Sequence, residues 1–310
     1  MQHLPQVEAA RTASGFDYGP VFAALAPRMR AADLAIVNLE TTLTRREHYT
    51  GYPLFRSPVA LADALREAGV DVAVLANNHC CDGGAEGIRT TVEELDRCGI
   101  RHTGVFADSA DYRRNHPLLL SCHGLRMALV NYTYGTNGMP VPAGMIVNRI
   151  DTVQMVRDLA AAKTLGADFI VACLHWGTEY ERQANTSQRH LAAFLRRHGV
   201  DVVVGSHPHV VQPWEADSTH VVLYSLGNLV SNQRRRYTDG GLVAEIEALR
   251  HPEGRMTYRT QTFPVWVSLP RYRILPPQAA DTMTLPAAYH RFRADIEELT
   301  GAQTEYKRSI

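Results

Sequence analysis

The stretch that decides the fold is Asp201-Val-Val-Val-Gly-Ser-His-Pro-His209. Its β-branched run, followed by Gly205 and Pro208, is typical of a buried parallel strand that ends in a turn. Pro208 fixes its own φ and restricts the residue before it, so the backbone that presents His207 and His209 is stiff. Neutral imidazole is the commonest metal ligand, so two imidazoles on a stiff turn suit a divalent cation. Taken alone, the stretch fits such a cation site and a turn whose histidines face water equally well.

The same construction occurs four times along the chain. An Asp precedes an apolar run, and a group with metal or acid/base chemistry closes it. In open α/β sheets such groups gather at the carboxyl ends of the strands, where the loops converge on one crevice. The recurrence therefore predicts one shared site rather than separate chance histidines. The segments are Asp33-Leu-Ala-Ile-Val-Asn-Leu-Glu40, Asp71-Val-Ala-Val-Leu-Ala-Asn-Asn-His79, Asp168-Phe-Ile-Val-Ala-Cys-Leu-His175 and Asp201–His209.

Composition narrows the class of protein. The 310 residues could form one large domain or two small ones, and we predict one, over 1–310, with its core at about 20–235 and a closing hairpin and helix in 240–310. The charges balance, 32 basic against 32 acidic, which argues against a nucleic-acid partner. Lys163 and Lys307 are the only lysines, so lysine-based catalysis is not expected.

The sequence motifs of several other protein classes are absent. The five cysteines, odd in number, do not form a disulfide framework and are expected to be small core residues. Dinucleotide-binding, P-loop and serine-hydrolase glycine motifs are absent. No apolar run is long enough to span a membrane and no leader opens the sequence, so we expect no membrane span. The cysteines are Cys80, Cys81, Cys98, Cys122 and Cys173.

Apolar periodicity predicts alternating strands and helices that give way to hairpins, and hence mixed sheets. We expect 49–58 to be a loop, 134–148 to be a loop or lid over the site, and the tail Lys307–Ile310 to fray. The predicted helices are 21–29, 59–68, 85–98, 151–165, 186–198 and 287–299. The predicted strands are 34–37, 72–76, 101–106, 168–174 and 219–225, with hairpins over 118–132 and 241–269.

The candidate metal ligands are oxygen and nitrogen donors without thiolates, which suits Mn²⁺, Fe²⁺ or Zn²⁺. Their number exceeds what one tetrahedral ion requires, so we predict two ions and a hydrolytic site for esters or amides. The candidates are Glu40, Asn78, His175, His207 and His209.

Other polar residues have more than one interpretation. His79 could donate a proton to the leaving group, or could be a helix-entry histidine that bonds a backbone carbonyl. Arg56 and the basic run Ser231–Arg236 could contact an anionic substrate or could simply be solvated. The remaining histidines, expected to be surface or satisfied core residues, are His48, His102, His116, His123, His190, His198, His220, His251 and His290.

Five motifs, in this order and spacing, resemble the bacterial capsule-synthesis CapA proteins linked to poly-γ-glutamate, over residues of about 20–235. That family is similar to the calcineurin-like metallophosphatases, so the resemblance implies a four-layer α/β/β/α sandwich with a dinuclear metal site. The motifs are Asn38-Leu-Glu-Thr41, Leu75-Ala-Asn-Asn-His79, Leu174-His-Trp-Gly-Thr-Glu-Tyr180, Gly205-Ser-His-Pro-His209 and Tyr224-Ser-Leu-Gly-Asn228.

The resemblance also implies roles. Asn78 would be a ligand and His79 the acid, and His207 and His209 would each bind one ion. His175 would correspond to the family's isolated histidine. Glu40 would take the place of the bridging acidic residue, with Asn38 alongside. Substrate contacts are expected from Arg56, Trp176, Glu179, Asn228 and Arg234.

One departure concerns the N-terminal end. The family normally opens with a strand that ends in Gly-Asp, and no such pair precedes Met1-Gln-His3. We expect either that the sequence starts late or that one ion is weakly held, with His3 as a possible ligand. The family implies an extracytoplasmic location if a leader is missing, and the sequence itself leaves the compartment open.

The expected function is metal-dependent hydrolysis of an amide or phosphoester in an anionic cell-envelope polymer such as poly-γ-glutamate. The alternatives are a non-catalytic polymer-binding subunit of a capsule synthesis or export complex and a phosphatase or phosphodiesterase with the same fold.

Overall fold

The computed structural model describes residues 1–280 and 284–300, and the predicted fraying of Lys307–Ile310 lies outside them. The helices are α1 (Leu4–Ala9), α2 (Gly19–Phe22), α3 (Ala26–Ala31), α4 (Ala60–Ala68), α5 (Gly84–Arg97), α6 (Ser109–Asn115), α7 (Thr152–Thr164), α8 (Thr186–Arg197), α9 (Pro277–Ala280) and α10 (Ala287–Thr300). The strands are β1 (Arg11–Thr12), β2 (Gly15–Phe16), β3 (Ile36–Asn38), β4 (Thr42–Thr44), β5 (Arg56–Pro58), β6 (Val72–Val74), β7 (Arg101–Thr103), β8 (Val105–Phe106), β9 (Leu118–Cys122), β10 (Leu125–Thr133), β11 (Ile146–Val147), β12 (Phe169–His175), β13 (Val202–Ser206), β14 (Trp214–Ala216), β15 (Val221–Leu223), β16 (Gly240–Arg250), β17 (Met256–Ser268) and β18 (Arg273–Leu275).

Three larger sheets carry the fold. The largest has six strands in the order β14-β15-β13-β12-β10-β9, and its four inner strands are parallel while the two edge strands are antiparallel to their neighbours. A second sheet, β3-β6-β7, is entirely parallel. The third, β16-β17-β18, is antiparallel. The sheets are therefore mixed, as the sequence predicts.

The sheets lie face to face, with helices on both outer surfaces. Leu129 of β10 and Val74 of β6 share one apolar core between the six-stranded and three-stranded sheets. The next residue of β10, Val130, packs with Leu159 of α7, because successive residues of a strand point to opposite faces. Ala73 of β6 likewise belongs to the core with helices α2 to α5. The predicted α/β/β/α sandwich is confirmed.

Burial of these apolar strands stabilises the layers and fixes where each strand ends. Leu129 is fully buried, and burial of one such side chain contributes about 1.5–3 kcal/mol. In the six-stranded sheet His175 is the register partner of Ser206, so β12 and β13 reach the same edge together. In the second sheet Asn38 is the partner of Val74.

Two of the histidines expected to be surface or satisfied core residues are buried and paired. His116 lies 2.9 Å from Asp158. His102 Nε2 lies 3.1 Å from Asp111, and its Nδ1 lies 3.6 Å from Asp96. Burial acts to lower the pKa of His102, but its two carboxylate neighbours outweigh that effect and raise it.

The predicted helix over 21–29 is wrong, because the segment forms two helices, α2 and α3. Pro27 lies in the first turn of α3, where its missing N–H is tolerated, and it would break a continuous helix. The predicted strand over 101–106 is also interrupted, at Gly104, which has a φ of +97° and packs against Ala76 and Asn131. Helix α1 was not predicted.

The two predicted loops contain short strands. Within 49–58, β5 pairs in parallel with β4, and within 134–148, β11 pairs with β8. A further correction is topological: the predicted site strands belong to two sheets, β3 and β6 to one, β12 and β13 to the other. The hairpin predicted over 118–132 is confirmed, with His123 and Gly124 in its turn.

Candidate metal centre

The carboxyl ends of strands from both sheets meet at one edge of the sandwich. His175 Nε2 lies 2.8 Å from Asn78 Oδ1 and 3.7 Å from Glu40 Oε1. His209 Nε2 lies 3.9 Å from the same Glu40 oxygen, and the His207 ring lies 4.9 Å from that of His175. The structure thus brings all five predicted ligands into one cluster.

Unsatisfied buried atoms test whether this cluster fits a metal ion. Among the described residues, Glu40 Oε1, His207 Nδ1 and His209 Nε2 are buried without a hydrogen-bond partner. Leaving one such atom unpaired costs about 1–3 kcal/mol, and more for a charged group. A cation among these atoms would satisfy them, and the oxygen and nitrogen donors suit Mn²⁺, Fe²⁺ or Zn²⁺. The residues therefore fit the ion that the sequence predicts.

The protonation states suit metal binding. Burial lowers the pKa of His175 well below its usual value and that of His207 to about 4. Burial acts to raise the pKa of Glu40, but the imidazoles of His175 and His209 favour its ionised form, and its pKa falls to about 2. At neutral pH His175 and His207 are therefore neutral and Glu40 is a carboxylate, which are the forms that bind metals.

Neighbouring polar groups orient the donors. His209 Nδ1 lies 3.0 Å from Asn228 Oδ1, and because an amide oxygen only accepts, Nδ1 carries the proton and Nε2 keeps its lone pair for the cluster. Asn228 was expected to contact substrate, and its buried position gives it this orienting role instead. Asn38 Nδ2 donates to Glu40 Oε2 at 3.4 Å, which places Asn38 beside the carboxylate.

The loop after β13 holds its imidazoles on an unusual backbone. His207 has a φ of +102° and His209 a φ of +60°, whereas side-chain-bearing residues rarely adopt positive φ. Such conformations cost about 1–3 kcal/mol each and cluster at functional sites. The intervening Pro208 helps to hold this shape. The loop therefore presents two rings at a cost in stability.

His79 has a partner that sequence reasoning missed. Its Nδ1 lies 2.8 Å from Asp82 Oδ2, which also accepts the Phe55 N–H at 2.6 Å. A carboxylate only accepts, so Nδ1 carries the proton and Nε2 is left for chemistry. The signal in the sequence is an Asp three residues after the His at the entrance of α5.

The predicted lid segment supplies two more unassigned residues. The Tyr134 ring lies 4.6 Å from that of His207, between centroids. Asn137 Oδ1 accepts from Asn78 Nδ2 at 3.3 Å, while its Nδ2 lies 3.5 Å from His79 Nε2. The start of 134–148 therefore lies directly against the candidate ligands.

Glu179 lies at the solvent side of the cluster. Its Oε1 is 4.0 Å from His209 Nε2, and its side chain is 42% exposed. Glu179, His207 and His209 each offer an atom within 4.8 Å of the others. Expected as a substrate contact, Glu179 is also positioned as a further candidate ligand.

Two other predicted residues, Trp176 and Arg234, have surroundings different from those expected. Trp176 is 2% exposed and donates its indole N–H to the Tyr224 carbonyl, so its assignment as a substrate contact is corrected to a core position. Arg234 donates to the Ser231 and Val267 carbonyls, so its guanidinium is already engaged with the backbone.

Arg56 and His3 lie beside the cluster. Arg56 donates to the Asp82 carbonyl at 3.3 Å, and this places it next to the His79 partner. His3 Nδ1 accepts the Asn232 N–H at 3.4 Å, so its orientation is set by a neighbouring loop. Burial lowers the pKa of His3 to about 4.

Comparison with known proteins identifies the relatives. The profile described as bacterial capsule synthesis protein PGA_cap matches residues 1–233. The capsule biosynthesis protein CapA of Bacillus anthracis is 30% identical over 186 residues, 58% of this chain and 45% of that protein. The PGA biosynthesis protein CapA of Bacillus subtilis (strain 168) is 27% identical over 241 residues, 76% of this chain and 63% of that protein. The chain thus spans about half to two-thirds of the length of these relatives.

Solved structures give weaker similarities. The NAD nucleotidase of Haemophilus influenzae has a TM-score of 0.45 at 15% identity, covering 78% of this chain and 48% of its own. The sulfate thiohydrolase SoxB of Thermus thermophilus has a TM-score of 0.45 at 16% identity, covering 77% and 39%. Both scores lie below 0.5, so neither structure informs the assignment. Within 1–280 and 284–300, no helix has the length and hydropathy needed to cross a membrane.

Proposed function

Because the chain belongs to the bacterial capsule synthesis family PGA_cap, we propose that it is a metal-dependent hydrolase that acts on an anionic cell-envelope polymer such as poly-γ-glutamate. One observation carries the proposal. Buried donor atoms from both sheets converge without hydrogen-bond partners, which is the arrangement expected of a site built for cations. The bond cleaved is an amide or a phosphoester.

The residues of this chain have distinct tasks. Glu40, Asn78 and the imidazoles of His175, His207 and His209 would hold two divalent ions. Bound divalent cations supply Lewis acidity and a nucleophilic water at neutral pH. Glu40, whose carboxylate lies between the His175 and His209 imidazoles, would supply the negative charge among these ligands.

Proton transfer falls to His79. Asp82 accepts the Nδ1 proton, orients the ring and stabilises its protonated form, so Nε2 can donate a proton to the departing nitrogen or oxygen. Tyr134 and Asn137 cover this edge and limit the access of bulk water to the reacting groups.

The polymer substrate is inferred from the relatives. Two of them are named for capsule or PGA biosynthesis. A γ-linked glutamate polymer contains backbone amides beside free carboxylates, so one chain offers both a cleavable bond and negative charge. Other members of a capsule synthesis complex are proposed as partners on the same basis.

Metal content and turnover test the proposal together. We expect about two equivalents of Mn, Fe or Zn by elemental analysis, and turnover of poly-γ-glutamate or of bis(p-nitrophenyl) phosphate. His79→Gln should lower kcat by about 10²- to 10⁴-fold and keep its metal. His190→Gln, on the exposed face of α8, is the matched control and should behave as wild type.

The other possible results of these measurements distinguish the alternative functions. Metal binding with polymer binding but without turnover of either substrate would favour the non-catalytic polymer-binding subunit. Turnover that persists in His79→Gln would reject the acid role. A protein that binds no divalent metal would reject the hydrolase.

A further inference from the structure

The three consecutive arginines after β15 have different surroundings. Arg234 donates to two backbone carbonyls. Arg236 forms an ion pair with Asp295 of α10 at 2.7 Å. Both guanidinium groups are therefore committed to holding the C-terminal part of the fold.

Arg235 is held differently, against an aromatic ring. Its guanidinium carbon lies 4.1 Å from the centroid of the Tyr180 ring. The other end of this contact is fixed, because the Tyr180 N–H donates to the Pro208 carbonyl at 2.8 Å and Gln233 donates to the Tyr180 hydroxyl at 3.4 Å. Stacking of this kind restricts a long side chain without neutralising its charge.

This charge lies near the candidate metal centre. The Tyr180 ring lies 6.2 Å from the His209 ring, so a single aromatic side chain separates the guanidinium from a candidate ligand. In the described part of the chain, Arg235 forms no ion pair with a carboxylate, whereas Arg236 does. An arginine that is both oriented and without a counter-ion is suited to bind an external oxyanion in bidentate geometry.

We propose that Arg235, supported by Tyr180, is the subsite that binds a substrate carboxylate next to the bond cleaved at the metal centre. The inference rests on the proposed function and adds its specificity determinant. In a γ-linked glutamate polymer every backbone amide has a free α-carboxylate beside it. A chain lying across the metal centre would place one of these carboxylates against Arg235. The subsite thus selects a carboxylate-bearing polymer over a neutral one.

Binding measurements with defined probes test this subsite independently of turnover. The probes for calorimetry on Mn²⁺-loaded protein are a γ-linked glutamate pentamer, the same pentamer with its α-carboxyl groups converted to primary amides, and a glycerol phosphate oligomer. Arg235→Gln should weaken binding of the carboxylate pentamer about 10- to 100-fold and leave the weaker binding of the amidated pentamer unchanged. Arg235→Lys should fall between, because it keeps the charge but not the planar fork.

Two further variants control for indirect effects. Arg197→Gln, an exposed arginine at the end of α8, should bind all probes as wild type does. Tyr180→Leu removes the ring on which Arg235 stacks, keeps a side chain at the same positive φ, and should weaken only the carboxylate pentamer. Equal metal content in all variants separates the subsite from the centre itself.

The outcomes separate the subsite from the proposed hydrolysis. Arg235-dependent binding of the pentamer without its cleavage would overturn the hydrolase and leave the subsite standing. Cleavage of the pentamer that is unaffected by Arg235→Gln would overturn the subsite alone. Wild-type protein that does not bind the pentamer, or loss in Arg235→Gln that is confined to the phosphate oligomer, would also overturn the carboxylate assignment.

Discussion

Replacement of Glu40 by Gln should lower the stability of the metal-free protein and also remove most of the stabilisation that bound metal adds. In the fold, Glu40 is buried and ionised, and its Oε1 lacks a hydrogen bond. The lowered pKa means that the folded protein favours the ionised carboxylate, so we expect metal-free Glu40→Gln to be less stable than metal-free wild type at neutral pH, by about 1–3 kcal/mol. The same change removes the charged ligand between two imidazoles.

The effect of metal on stability can be worked out from linkage. Metal at a thousand times its dissociation constant stabilises the wild type by about 4 kcal/mol. For a chain of this size that corresponds to about 8 °C in Tm, at about 2 °C per kcal/mol. If loss of the carboxylate weakens binding about 100-fold, the stabilisation falls to about 1.4 kcal/mol, or about 3 °C.

Calorimetric melting of chelator-treated protein, before and after addition of Mn²⁺, measures both quantities. Glu67→Gln, at an exposed position near the end of α4, is the matched control and should show the full wild-type metal shift. Two results would refute the reasoning: a metal-free Glu40→Gln clearly more stable than metal-free wild type, or a Glu40→Gln variant that keeps the full metal shift.

Three further predictions follow from local contacts. Asp82→Asn should lower kcat about 10- to 100-fold with unchanged metal content, because His79 loses the carboxylate that stabilises its protonated ring; a variant that also lost metal would contradict this orienting role. Gly205→Ala should destabilise the fold by about 1–3 kcal/mol in urea unfolding, because its Cβ would collide with the Tyr224 carbonyl just after β15. Gly135→Ala, whose Cβ would have no atom within 4 Å, is the control and should be nearly neutral. Because its pKa is raised in the fold, protonated His102 stabilises the fold below the unfolded pKa of about 6.5, and this stabilisation is lost as pH rises through the higher folded value. His102→Gln should therefore lower the free energy of unfolding more near pH 5.5 than near pH 9. An equal loss at both pH values would show that the ion pair does not contribute.

The sequence is informative about the strand ends because a buried parallel strand is an uninterrupted apolar run. The run Val202–Val204 lies in β13, which ends at Ser206 just before the turn, and the run before His175 lies in β12, which ends at His175. A local pattern does not specify which sheet a strand joins. The division of the candidate ligands between two sheets depends on long-range pairing, which becomes visible only in the folded chain.

Side-chain partners were harder to predict than strand ends. Asp82 is close to His79 in sequence, but their contact depends on the conformation of the turn before α5. Tyr134 and Asn137 come from a Gly/Pro-rich segment whose path is set by packing against distant strands. Among consecutive arginines, composition cannot distinguish Arg235 from its neighbours, because only tertiary contacts determine which guanidinium is already occupied.

The division of the candidate ligands between the two sheets has a mechanical consequence. Glu40 and Asn78 come from one half of the sandwich and His209 from the other, so a cation held among them would tie together segments far apart along the chain. Because such an ion binds only when both halves are folded together, its binding free energy stabilises their association. Sliding of one sheet over the other would then require that the ion first be released, and hydrogen exchange in β3 and β13 should slow together on metal loading.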